Sequence, residues 1–144
     1  GFGSSVDVIN DTTDWVAAGA PSATELGGAT VGAGAVFVFD GIGTYKAGFT
    51  PAGGTGVQTF GTDLRLRLNG PAVELVAGAN RSNFAASLAG HAFVYSNTSG
   101  SWVETARFVS DFTVAGDQFG RTIAVSPDGK ITVGSTTHVV DSYE

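Results

Sequence analysis

The chain has 144 residues, enough for one modest domain, and its 42% hydrophobic and 14% charged residues exclude a disordered acidic tail. A net charge of −6, with seven scattered Lys and Arg, gives neither nucleic-acid phosphates nor anionic lipid headgroups a surface to bind. No apolar run reaches the roughly 18 residues of a membrane helix, and there is no Cys for a disulfide or a thiolate metal site.

The elements come in a repeating order. Phe2-Gly3 is followed by an alternating run, Ser4–Val8, then by a polar turn over Asn10, Asp11 and Asp14. A second apolar run, Trp15–Pro21, ends in a small-residue corner, and a third, Gly34–Phe39, follows a loop. A fourth is centred on Tyr45-Lys46-Ala47 behind a Gly-Thr turn. The order restarts at Phe60-Gly61: Thr62–Leu68, the turn Asn69-Gly70-Pro71, Val73–Asn80, His91–Tyr95, and a run beginning Trp102-Val103-Glu104. It restarts again at Phe119-Gly120 with Arg121–Ser126, the turn Pro127-Asp128-Gly129, Ile131–Ser135 and His138–Tyr143.

The Phe-Gly pairs are 58 and 59 residues apart, which divides the single domain 1–144 into repeats 2–59, 60–118 and 119–144, the third truncated. Apolar alternation with a period of two predicts half-buried strands, and the Gly, Pro, Asn and Asp between them predict tight reversals. The expectation is an all-β chain of eleven strands without a long helix, each repeat a four-stranded antiparallel meander and the last one strand short. Repeats of this size with four strands are the scale of β-propeller blades, which must stack to bury two apolar faces. About three blades leave open faces and edges. The chain is therefore expected to be part of a larger propeller, or to be completed by blades of the same parent chain or another subunit. The absence of Met, even at position 1, reads the same way, as a processed product or a segment of something longer.

Phe-Gly, strand, turn, strand, then Gly-Ala-Pro resembles the FG-GAP repeats of integrin α-subunit propellers and of many bacterial and eukaryotic cell-surface proteins. Phe2–Pro21 with Gly34–Phe39 looks like a complete copy; Phe60–Asn80 ends in Gly-Ala-Asn and Phe119–Ser135 in Gly-Ser. The resemblance covers essentially the whole chain. It implies an extracellular or cell-surface module for adhesion, recognition or structural assembly, with a protein or glycan ligand. The alternatives are a lectin-like propeller and an accessory propeller of a secreted hydrolase.

The residues themselves point to packing first. Phe at each entrance is an apolar plug, and the Gly beside it and the Gly-Ala corner allow close backbone approach. Integrin-type repeats often carry a calcium loop, and calcium wants six to eight oxygen ligands. The equivalent loops offer only Asn10, Asp11 and Asp14, then Asn69 with no acid before Glu74, then Asp128. Asp and Asn in β-turns are expected for backbone reasons, so no cofactor is expected, with calcium at Asn10, Asp11 and Asp14 the one candidate. His91 and His138 open corresponding strands and read as a shared slot; no nucleophile elbow, carboxylate pair or phosphate loop marks an enzyme. Tyr45 and Trp102, each before an outer strand, are candidates to stack on a ligand, against blade packing as the plainer reading. The loops Pro21–Gly34 and Asn80–Gly90, the second carrying Arg81 and Asn83, are the candidate binding face. Asn10, Asn80 and Asn97 each begin an Asn-x-Ser/Thr tripeptide and are candidate glycan acceptors.

Overall fold

The computed structural model describes residues 1–10, 12–24, 26, 30–51, 56–137 and 141–143, the last three as backbone alone. Among them every regular element is a strand. Sheet one holds β1 (Ser5–Ile9), β2 (Trp15–Ala20), β3 (Ala35–Asp40) and β4 (Tyr45–Phe49). Sheet two holds β5 (Phe60–Asn69), β6 (Ala72–Ala79), β7 (His91–Asn97) and β8 (Trp102–Phe108). Sheet three holds β9 (Thr122–Val125), β10 (Ile131–Gly134) and β11 (Asp141–Tyr143). In each sheet the strands lie in sequence order and pair antiparallel, as short polar reversals dictate.

Alternation divides each sheet into two faces, and the registers align across sheets. The row Val6, Ala18, Phe37 of sheet one matches Leu64, Ala77, Phe93 of sheet two, and Ile123, Val133 of sheet three. The row Val8, Val16, Phe39 likewise matches Leu66, Leu75, Tyr95, then Val125, Ile131. These larger side chains form the leading face of each sheet. The opposite, trailing face is small at its centre, Gly19, Ala17, Val36 and Val38 in sheet one and Gly78, Val76, Ala92 and Val94 in sheet two, with Trp15 and Phe49, or Phe108, at its margins.

The sheets stack trailing face to leading face. One core cluster joins Ala17, Val36 and Val38 to Phe60, Leu64, Leu66, Leu75, Phe93 and Tyr95. A second joins Val76, Ala92 and Val94 to Phe119, Ile123, Ile131 and Val133. Phe60 and Phe119, both fully buried, open the incoming sheet at each joint, and burial of such a ring stabilises by about 2–3 kcal/mol. The following Gly61 and Gly120 have φ of 87° and 88°, a region that favours glycine. Their carbonyls press on Gly19 and Gly78, where a Cβ would overlap them. Polar bonds reinforce both joints: Asp7 Oδ2 accepts from the Leu66 N–H, and Asp63 Oδ2 from the Ile123 N–H, each at 2.7 Å.

Candidate functional site

The β2–β3 and β6–β7 connections lie at the same end of the sheets as the linkers from one sheet to the next. Backbone bonds tie each loop to the linker beside it. The N–H groups of Gln58 and Thr59 donate to the Gly32 carbonyl, both at 3.0 Å, and Phe60 N–H donates to Ala33 O at 3.0 Å. One repeat on, Gln118 N–H donates to Leu88 O at 3.1 Å and Phe119 N–H to Ala89 O at 2.7 Å. Short parallel bridges, Gly34 to Phe60 and Gly90 to Phe119, complete each tie. Thr59, Leu88 and Gln118 adopt positive φ (56°, 54° and 55°), which the flanking bonds hold in place.

This pinned backbone presents apolar side chains to solvent. Val31 is 72% exposed and Phe112 62%, with Val57 and Val114 also exposed. Arg81 is exposed at the same end, its N–H bonded to Gln58 O at 3.2 Å. Asn83 is exposed too, but its Oδ1 accepts from the Leu88 N–H at 2.7 Å and so shapes the loop.

Beneath lies a buried polar layer that the sequence reading missed. Asn80 Oδ1 accepts from the hydroxyls of Thr59 (2.6 Å) and Thr62 (2.9 Å), and its Nδ2 donates to Gln118 Oε1 at 3.3 Å. Asp117 is fully buried and its Oδ1 accepts from the Thr137 hydroxyl. Gln58 and Asp117 each stand two residues before a Phe-Gly, and that recurrence was the available signal. His91 is buried in the same region, edge-on to Phe84 at 4.9 Å, and its Nδ1 has no partner among the described residues. Burial, helped by the Arg107 guanidinium, pushes its pKa down to about 4, so the ring is neutral at pH 7. Arg107 itself lies over the Phe84 and Phe93 rings, 4.7 Å from each centroid.

Tyr45 and Trp102 both begin the outer strand of their sheet but meet different surroundings. Trp102 is half-buried, packed edge-on against Trp15 (5.5 Å) and Phe49 (5.9 Å) between sheets one and two. Tyr45 is 57% exposed on the leading face of sheet one, edge-on to Phe39 at 6.1 Å. Their registers also differ, Tyr45 opposite Phe39 and Trp102 opposite Asn97.

The opposite end carries the tight turns. Asn10 Nδ2 donates to Asp14 Oδ1 at 3.0 Å, and Asp11 lies outside the described residues, as does His138. Asp128 accepts from the Ser126 hydroxyl, which holds its carboxyl below the usual range. The turn closes through Lys130 N–H to Ser126 Oγ at 3.0 Å. Arg67 and Glu74 form a part-buried ion pair at 2.6 Å, and Arg67 also donates to the Gly129 carbonyl. The carboxylates at this end therefore hold turns and strand pairs. Among the described residues no three His, Asp or Glu side chains converge as metal ligands would.

Of the three candidate glycan acceptors, Asn10 is exposed, whereas Asn80 and Asn97 are buried. Asn97 Oδ1 accepts from the Gly100 N–H at 2.8 Å in the β7–β8 turn. No family model matches the sequence, and no curated protein sequence matches it.

Proposed function

We propose that the chain is a non-catalytic recognition module of the cell surface or extracellular space, its sheets acting as blades of an FG-GAP-type propeller. The observation that carries this reading is the loop-bearing end. There, backbone bonds pin linkers and loops together, and four apolar side chains, Val31, Val57, Phe112 and Val114, are exposed beside Arg81 and Asn83. Rigid apolar groups on a pre-ordered surface suit a protein ligand, because little side-chain and loop entropy is lost on binding. The recurring trailing-to-leading joint supports the blade assignment, since identical joints between successive sheets are what a propeller repeats around its axis.

The test is binding of the labelled chain to parallel arrays of purified extracellular proteins and of glycans. Protein binding lost in a Phe112→Ser/Val114→Ser variant is the expected result. Glycan binding lost in Tyr45→Ala, with the protein array silent, would replace this reading with a lectin.

A further inference from the structure

The Asn80–Gly90 loop belongs to the loop-bearing end, and an aromatic side chain fastens it to sheet two. Phe84, half-buried, joins the first core cluster from the loop. Its ring stands edge-on to His91 at 4.9 Å and to Phe93 at 6.3 Å. The Arg107 guanidinium lies 4.7 Å from its centroid. Phe84 therefore packs on an imidazole and on a permanent cation together.

His91 is the sensitive member of this cluster. It is 2% exposed, and its Nδ1 has no hydrogen-bond partner among the described residues. A neutral ring leaves one acceptor unpaired there. An imidazolium places an N–H donor at that atom with nothing to receive it, and a charge among apolar rings. The charged groups around it do not compensate. Arg107 has the same sign, and Glu104 is already paired with it at 2.9 Å. Arg81, in the loop itself, is also a cation, and burial keeps the Tyr95 hydroxyl protonated on the same face of β7. Sheet one adds no charge: Phe49 of β4 stacks on Tyr95 at 4.3 Å, and residues 47–62 include no ionisable side chain.

Of the two phenyl rings beside the imidazole, Phe93 is fully buried within β7, whereas Phe84 rides on a loop. Phe84 is the neighbour that can give way and let water reach Nδ1. We infer that Phe84 latches the Asn80–Gly90 loop and that His91 is its acid trigger: a proton on the imidazole displaces Phe84 and frees the loop from sheet two. The Ser87 carbonyl accepts from the Gly116 N–H at 2.9 Å, so the loosening extends to the linker that carries Phe112 and Val114. The binding face thus keeps its shape at neutral pH and loses it in acid. That consequence rests on the proposed function; the latch itself does not.

Native-state hydrogen exchange of the wild-type chain without ligand, at about pH 7 and about pH 4.5 in low urea, tests the latch. The reporters are the N–H groups of Leu88, bonded to Asn83 Oδ1 at 2.7 Å, and of Gly90, bonded to Ser82 O at 3.1 Å. With the His91 pKa about 4 in the closed loop and 6.5 in the open one, linkage raises the open fraction about fiftyfold between the two conditions. Both amides are expected to lose that much protection independently of urea, because a local opening exposes little surface. The amides of β6 should keep the urea dependence of global unfolding. In His91→Gln, with wild-type circular dichroism, the loss in acid should vanish. Protection that survives acid overturns the inference, as does a loss that follows urea like β6 or one that persists in His91→Gln. If that variant does not fold, proton NMR of the wild type decides. The His91 and Phe84 ring resonances are expected to titrate together, and a Phe84 ring that stays in place while His91 titrates overturns the latch. No ligand enters these measurements, so silent arrays leave the latch standing and a failed latch leaves the array reading standing.

Discussion

The carbonyl oxygen of Gly120 occupies the space that a Cβ on Gly78 would need. The neighbour is backbone, fixed in the second joint, and cannot turn aside as a side chain could. Replacing Gly78 with Ala is therefore expected to push sheets two and three apart and cost at least about 2 kcal/mol. Urea denaturation checks this; a variant within about 0.5 kcal/mol of wild type would mean the joint is looser than it looks.

His91 makes stability depend on pH. Its folded pKa, about 4, lies below the ordinary 6.5, so the unfolded chain takes up the proton first as pH falls. The contribution is fully present above pH 6.5 and is lost on the way down towards pH 4, at a slope on the order of 1 kcal/mol per unit. A His91→Gln variant should lose that slope between pH 6.5 and pH 4 when melting temperature is followed against pH. An unchanged slope would assign the effect to carboxylates.

Glu74 is buried and Arg67 half-buried, and Arg67 reaches across to the β9–β10 turn through the Gly129 carbonyl. Glu74→Leu leaves the half-buried guanidinium without its carboxylate and is expected to cost about 2 kcal/mol or more. Adding Arg67→Met to Glu74→Leu removes both charges and should recover most of that loss. A double-mutant cycle in urea gives the comparison.

Produced through a secretory pathway, the chain is expected to carry glycan at Asn10 and at neither Asn80 nor Asn97. Both side chains are buried, and each amide oxygen accepts hydrogen bonds within the fold. Intact mass should fall to the unmodified value in Asn10→Gln. Asn80→Ala should instead lower the melting temperature, since the Thr59 and Thr62 hydroxyls each lose one of two acceptors and Gln118 Oε1 loses a donor.

Much of this architecture was legible because alternation and punctuation agree. Val6 and Val8 flank Asp7, Leu64 and Leu66 flank Arg65, Ile123 and Val125 flank the small Ala124, and Phe-Gly sets the phase of each set. The eleven strands fall within or close to the runs read from that phase. The difference between Tyr45 and Trp102 was not legible, because both lie on leading faces and Trp102 alone meets side chains of a neighbouring sheet, Trp15 and Phe49. The roles of Asp7 and Asp63 were hidden as well. On a single strand each looks like the solvent half of an alternation, yet its Oδ2 accepts an N–H from the neighbouring sheet. Likewise the sequon at Asn80 is a tripeptide pattern, whereas its burial depends on Thr59 and Gln118, far away in sequence.

All eight residues of β6 are buried, since sheet two has a neighbour against each face. Protection from hydrogen exchange should therefore be graded along the stack. Either outer sheet can peel away by giving up a single joint, whereas the amides of β6 are released only when both joints have opened. The stack thus behaves as a short chain of coupled units whose central member keeps the cooperativity of the whole.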